Sequence, residues 1–498
     1  MCSWMEDLED PMMSGRALDH NRLAEWRHSR RGAAPNQSSC TDDRRTTDRI
    51  GAVLGQNRMT ESAPRRPAGV DREIIFDICH LSLGFWRETP AGVDRVDASF
   101  ATHFLSADAP NRKALLFTPL GPRAIPVAEA RRIFEGVQIH WGETKRSEED
   151  KAFCRVRDTL MGLPPSQPRR LQNAAIFDRF GKALRIGANA ALLHASALRR
   201  IAAVGANAVY LNVSQYPLSS PSYFRWLQER PDVKPVFMIH DLLPIQYPEF
   251  FHPASVRRHV RRLNVFTEIA AGAIVSTPTV ADALLAHLNG LGRKTLPLLI
   301  QPLPVSPTFR GPREHDEGLA ARPYFIVCGT IEPRKNHLLL LNLWRELART
   351  SGSATPKLIV AGARGWENEN IVDMLERCPA IRDHVIEASG LSTPSLKRLI
   401  DNARAVLMPS FAEGYGLPVA EALAAGTPVL ASDLPSLRAM GGSAITWLDP
   451  VDGLGWLAAI RRLSEAPAHW VQGGRDRPRP TFSDETYFQQ IEAFLSTV

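Results

Sequence analysis

The chain has 498 residues, of which 44% are hydrophobic and 23% charged, with a formal net charge of +7. Values so close to globular averages exclude wholesale disorder and a membrane-embedded body, and so modest a positive charge makes no case for nucleic acid. The length exceeds what one hydrophobic core organises, so two or three folding units are expected.

The chain opens on Glu6, Asp7, Glu9 and Asp10, unlike the basic and apolar start of a secretory signal. No apolar run approaches the roughly 20 residues that span a bilayer. The cysteines, Cys2, Cys40, Cys79, Cys154, Cys328 and Cys378, show no Cys-x-x-Cys spacing, which fits reduced thiols and no metal held by cysteine. A soluble cytoplasmic protein is the expectation.

Residues 1–70 mix charges of both signs with Ser, Thr, Pro and Gly without a sustained apolar period, so they are expected to form a poorly ordered tail. The hexapeptide Pro-Ala-Gly-Val-Asp-Arg occurs at Pro67 and again at Pro90, but nothing around the copies matches and no repeat is inferred. From Ile74 short apolar β-type runs begin, at residues 74–78, 114–117, 208–213, 236–239 and 273–275. Helix-length stretches at 126–134, 193–204 and 256–270 separate them. Alternating strands and helices predict a parallel sheet wrapped by helices, here assigned to residues 71–305.

Pro302, Pro304, Pro307 and Pro312 continue neither a helix nor a strand well and mark the linker. A second series over 306–498 has strands at 324–328, 358–361, 384–387, 405–408 and 429–431, with Leu339, Leu343, Trp344 and Leu347 on one helical face. The fold expected is α/β: two tandem Rossmann-like, doubly wound domains facing across a cleft, with ligands outside the carboxyl ends of the strands.

One strand-loop-helix unit stands out, running from Val406 through Ser410, Glu413, Gly414, Tyr415, Gly416, Leu417 and Pro418 to Glu421. Gly414 and Gly416 let a ligand approach the backbone, and Pro418 suits a first helical turn that needs no N–H. The amides near Gly416 and Leu417, with the helix dipole, favour a diphosphate without a divalent ion. Glu413 and Glu421 are acceptors for sugar or ribose hydroxyls. The segment matches E-G-[FY]-G-L-P-x-x-E-A and so resembles family 4 glycosyltransferases of the GT-B fold. That resemblance implies that Glu413 holds donor-sugar hydroxyls, that Glu421 holds ribose hydroxyls, that the loop residues Gly414 to Leu417 touch sugar and phosphate oxygens, and that anomeric configuration is retained.

A second constellation, Gly329-Thr330-Ile331-Glu332-Pro333-Arg334-Lys335-Asn336, follows the strand at 324–328. Its fixed cations would stabilise charge developing on a departing diphosphate. It matches the G-T-x-x-P-R-K-N form of a bacterial mannosyltransferase-like subgroup. Thr330 stands where the wider family has an arginine, which leaves Arg334 as candidate for that charge beside Lys335. In the first half, His240-Asp241-Leu242-Leu243-Pro244 resembles the same subgroup's H-D-L-x-P. His240 is expected at the reacting centre with Asp241 orienting it. Pro90 to Val96 resembles its G-I-x-R-V segment with Val93 in place of Ile, and Gly92 is expected to approach the donor diphosphate or the acceptor while Arg95 contributes charge. Arg257, Arg258, Arg261 and Arg262 are expected on one side of a helix, where they could meet anionic lipid or plain solvent.

Together these residues imply a retaining glycosyltransferase that moves a hexose, by the subgroup resemblance mannose from GDP-mannose, to a saccharide or lipid-linked saccharide acceptor. It would need no metal or other cofactor, would bind no nucleic acid, and would act in the cytoplasm or at the inner face of the membrane. The competing readings are a GT-B nucleotide-sugar isomerase and a non-catalytic scaffold. The intact Glu413, Glu421, Lys335 and His240 argue against the scaffold.

Overall fold

The computed structural model describes residues 72–106, 111–118, 121–163, 199–200, 203–441, 444–466 and 483–498. The expected tail lies outside the described residues, as does most of the expected helix at 193–204.

The first sheet comprises β1 (Ile74–Asp77), β2 (Arg112–Thr118), β3 (Gly121–Ile125), β4 (Arg199–Arg200), β5 (Val209–Asn212), β6 (Lys234–Ile239), β7 (Gly272–Val275) and β8 (Leu298–Ile300). Their order is β4-β3-β2-β1-β5-β6-β7-β8. The run from β2 to β8 is parallel, whereas β3 is antiparallel to both neighbours, so the sheet is mixed at one edge where an all-parallel one was expected. Arg199 and Arg200 belong to that edge as a strand, not to the helix expected there. The second sheet, β9 (Tyr324–Cys328), β10 (Lys357–Ala361), β11 (Val385–Ala388), β12 (Val406–Met408), β13 (Val429–Ser432) and β14 (Ile445–Leu448), is parallel throughout, in the order β11-β10-β9-β12-β13-β14.

The central strands read as unbroken apolar runs because both of their faces are covered. Successive side chains point to opposite faces. In β6, Val236 and Met238 enter one apolar cluster while Phe237 and Ile239 enter another, and in β9 Tyr324, Ile326 and Cys328 part in the same way from Phe325 and Val327. The covering helices of the first sheet are α1 (Gly92–Phe104), α2 (Val127–His140) and α3 (Lys151–Met161) on one face, with α4 (Pro253–Ile269) and α5 (Pro278–Gly290) on the other. In the second, α6 (His337–Ser351) lies opposite α7 (Thr393–Asn402) and α8 (Leu417–Ala425).

One apolar cluster runs through both domains and includes the final helix, α9 (Asp484–Thr497). There Phe488 meets Phe100 edge-on at 5.4 Å and stacks on His103 at 4.1 Å, so the helix that follows the second sheet in sequence packs against α1. Polar contacts join the domains too. Asp150 accepts from the Ser392 amide (2.9 Å) and hydroxyl (2.8 Å), and Glu143 accepts from the Thr393 amide (3.2 Å), at the start of α7. On α4, Arg257, Arg258 and Arg261 are exposed, but Arg262 turns inward and donates to Gln215 Oε1 at 3.2 Å, so the basic face carries three arginines, not the expected four. Among the described residues no helix is long and apolar enough to cross a membrane.

Candidate active site

Strand order reverses at β1 in the first sheet and between β9 and β12 in the second. In open α/β sheets such reversals part the neighbouring loops and open a crevice at the strands' carboxyl ends. The loops that leave β1, β6, β9 and β12 at these points carry the residues singled out in the sequence.

After β12 the chain turns through Glu413 and Gly414 into α8. Gly416 caps this helix in the left-handed region (φ +87°), and Leu417 and Pro418 form its first positions. At Gly414 the two domains approach closely: a Cβ there would lie 2.7 Å from the His240 carbonyl oxygen and 2.8 Å from Asp241 Cβ. Thr277, which heads α5 in the first domain, donates to the Gly414 carbonyl at 3.3 Å. The Tyr415 ring is buried beside this loop, and burial pushes its hydroxyl up to about 12.

Glu413 is the hub of the site. Lys335 Nζ donates to its Oε1 at 2.8 Å, and Arg334 Nη1 lies 2.9 Å from its Oε2. Burial alone would raise the carboxyl, but Arg334 and Lys335 together hold it down at about 2. Arg334 also donates to the Ala412 carbonyl (2.7 Å) and to Glu332 Oε1 (2.5 Å). Burial opposes the guanidinium's charge, and Glu413 and Glu332 more than restore it, so its pKa is raised. Asn336 fixes the end of this loop through Nδ2, which donates to the carbonyls of Pro409 (3.1 Å) and Pro450 (2.9 Å). The result is a buried cluster in which cations and carboxylates compensate one another.

Across from this cluster, His240 Nε2 donates to the Val213 carbonyl at 2.9 Å. A carbonyl only accepts, so the proton sits on Nε2 and Nδ1 is the acceptor atom. Burial pushes the ring down to about 4, so it is neutral near pH 7. Asp241 does not orient the ring as expected. Its Oδ1 accepts from the Leu243 amide (3.1 Å), and the orienting partner of His240 is the Val213 carbonyl.

Glu421 is fully buried, and Arg95 from α1 grips it in two places: Nε donates to Oε1 at 2.7 Å and Nη2 to Oε2 at 3.2 Å. Arg95, expected to lend its charge to a ligand, is thus committed to a carboxylate of the other domain. Gly92 opens α1 facing Leu417, whose Cδ2 would lie 3.8 Å from a Cβ at Gly92. Gly329 and Thr330 lie at the end of β9. Gly329 takes φ +136° beside the Lys335 side chain, and its carbonyl oxygen would lie 1.9 Å from a Cβ at Gly362.

The structure therefore draws Arg334, Lys335 and Glu413 into one cluster, sets His240 across the Gly414 contact, and places Gly92 against Leu417. Glu421 is joined to the first domain through Arg95. The sequence reading assigned no role to Glu332, Thr277, Gly362 or Gly365. Glu332 stood inside the quoted motif and is found by asking what neutralises adjacent Arg and Lys in a buried loop. The glycines appear as Ala361-Gly362-Ala363-Arg364-Gly365 after an apolar strand, the position where backbone approaches backbone.

Residues 313–467, which hold the cluster of Glu332, Arg334, Lys335 and Glu413 together with Glu421, match the family of glycosyl transferases group 1. Over those residues the chain is similar to a glycosyltransferase group 1 domain. Over 215 residues, 41% of this chain, it is 30% identical to the serotype-specific mannosyltransferase WbdA of Escherichia coli, covering 26% of that protein. Over 135 residues, 27% of this chain, it is 38% identical to the Escherichia coli O-antigen chain mannosyltransferase B, covering 35% of that protein. The chain thus spans between about a quarter and a third of the length of these curated relatives. Among solved structures, the sucrose-phosphate synthase of Thermosynechococcus elongatus shares the two-domain GT-B fold at a TM-score of 0.53 and 16% identity, over 86% of this chain and 98% of that one.

Proposed function

We propose that the chain is a retaining mannosyltransferase, moving mannose from GDP-mannose to a saccharide or lipid-linked saccharide acceptor in the assembly of a cell-surface polysaccharide. The observation that carries this reading is the Glu413 carboxylate clasped by Arg334 and Lys335 at the head of α8, opposite a neutral His240. The similarity to two named mannosyltransferases supports the choice of sugar.

The chemistry follows from the charges. The bond between the anomeric carbon and the diphosphate oxygen breaks, and its electron pair goes to the diphosphate. Lys335, Arg334 and the amides that open α8 stabilise that charge as it forms. The acceptor oxygen bonds to the anomeric carbon on the face the diphosphate leaves, and its proton passes to the departing diphosphate. Glu413, ionised and with lone pairs left beyond its two ion pairs, accepts from sugar hydroxyls, and His240 Nδ1 adds a second acceptor. No step routes charge through a divalent ion.

The test is to incubate the purified protein with GDP-mannose, UDP-glucose or UDP-N-acetylglucosamine, with and without a mannose-terminated acceptor, and to read product and anomeric configuration by NMR. Transfer of α-linked mannose from GDP-mannose to the acceptor is expected. Inverted product, a rearranged donor formed without acceptor, or transfer only from a UDP-sugar would overturn the respective part of the proposal.

A further inference from the structure

Glu421 and Arg95 lie 326 positions apart and in different domains, yet they form an enclosed ion pair: the Glu421 side chain is 1% exposed and that of Arg95 14%. Both carboxylate oxygens are engaged, and Arg95 leaves them no open face. Ribose hydroxyls cannot reach such a carboxylate until the guanidinium moves. A guanidinium drawn off a buried carboxylate must find another anion, because a lone buried charge is strongly disfavoured.

The surroundings of Arg95 hold Glu143, a carboxylate already bonded to the Thr393 amide, and the heads of two helices. Arg95 sits in the first turn of α1, three residues beyond Gly92, and Gly92 faces Leu417 at the head of α8. Two helix N-termini, each favouring negative charge, therefore meet beside Arg95. Its third nitrogen, Nη1, donates to the Pro90 carbonyl at 3.3 Å, a long contact that is easily exchanged. A diphosphate between these helices would offer Arg95 the same forked, charge-assisted pairing that Glu421 offers it.

We propose that Arg95 is a donor-responsive latch. It alternates between Glu421 and the diphosphate of a nucleotide donor, and by changing partner it uncovers Glu421 for the ribose. Arg95 is thus a positioning residue for Glu421 and a binding residue for the diphosphate, which couples recognition of the phosphates to recognition of the nucleoside. The inference rests on the nucleotide-sugar reading of the cleft given above.

The exchange predicts that the phosphates do more than add contacts of their own, because without them nothing draws Arg95 away. Calorimetric titration of guanosine, GDP, uridine and UDP against the full chain measures this as the ratio of nucleoside Kd to diphosphate Kd. Arg95→Met is expected to shrink that ratio at least tenfold, weakening the diphosphate and tightening the nucleoside, which no longer waits for the guanidinium to leave Glu421, and Arg95→Lys should restore part of it. If Arg95→Met does not fold, the neutral pair Arg95→Met/Glu421→Gln leaves no unpaired charge and is compared with Glu421→Gln alone. Because Glu421→Gln leaves no charge to hold the guanidinium, the diphosphate should weaken between those two while nucleoside binding stays the same. An equal loss for nucleoside and diphosphate, no change in either, or nucleoside binding that does not tighten in Arg95→Met would overturn the latch. Wild-type protein that binds neither GDP nor UDP would instead overturn the nucleotide-sugar reading itself.

Discussion

Replacing Lys335 by alanine tests the chemical core of the proposal. Lys335 Nζ lies 2.8 Å from Glu413, and Arg334 holds the other oxygen of the same carboxylate at 2.9 Å. The variant therefore keeps one cation on Glu413, which stays ionised near pH 7, and the buried cluster is not left with an unpaired carboxylate. What it loses is a charge that faces the leaving diphosphate. Two unit charges 4 Å apart at an effective dielectric of 20 interact by about 4 kcal/mol, and single oxyanion-hole donors contribute on the order of 3 kcal/mol. A barrier higher by about 3 kcal/mol slows turnover by roughly two orders of magnitude. Because charge develops as the bond breaks, the loss should fall mainly on kcat, with the calorimetric Kd for nucleotide diphosphate changing by much less. Single-turnover rates at saturating donor, beside thermal melts that establish folding, provide the measurement. Near-normal turnover at saturation, with the whole defect in donor affinity, would refute the role.

The Gly414 contact gives a steric prediction: Gly414→Ala puts a methyl 2.7 Å from the His240 carbonyl, so transfer should fall at least tenfold while the melting temperature changes little, and small-angle scattering should show the two domains parting. Retained activity would mean that this approach is not needed. A pH prediction follows from Glu413, whose carboxyl lies below its ordinary 4.5, at about 2. A depressed carboxyl contributes stability above its unfolded pKa and loses it as pH falls through the folded value, so the advantage of wild type over Glu413→Gln should shrink by roughly 3 kcal/mol between pH 4.5 and 2. Chemical denaturation across that window measures it, and a pH-independent difference contradicts the assignment. Finally, transfer should persist in excess chelator, since Lys335, Arg334 and the helix amides supply the charge at the diphosphate. Abolition by chelator, with recovery on adding manganese or magnesium, would show that a metal takes that role.

What could be read from sequence, and what could not, divides along the distance over which each feature is decided. The central strands were legible because a strand covered on both faces is apolar at every position, and 324–328 needs no neighbour to be recognised. The short strands escaped. Leu298–Ile300 lies between Pro297 and Pro302, and Ile445–Leu448 is an edge strand with three half-buried positions, so neither shows a long run or a clean alternation. The site divides in the same way. Glu413, Gly414, Gly416 and Leu417 lie within five positions of one another, and a strand-loop-helix unit fixes their mutual geometry locally. Arg334 and Lys335 could be named as cations, yet that both would close on Glu413 depends on β9 and β12 being neighbours in the sheet. The roles of Arg95 and Asp241 were beyond local inference. Asp241 stands next to His240, but each side chain took a separate backbone partner, the Leu243 amide and the Val213 carbonyl, and those partners exist only once β5 and β6 pair and the chain turns after them. Arg95 was legible as a charge near the cleft and illegible as the partner of Glu421, because that contact is made by two domains closing on each other. It is therefore also a contact that any motion between them would change, which is why a ligand that rewards Arg95 elsewhere would change the geometry of the donor site itself.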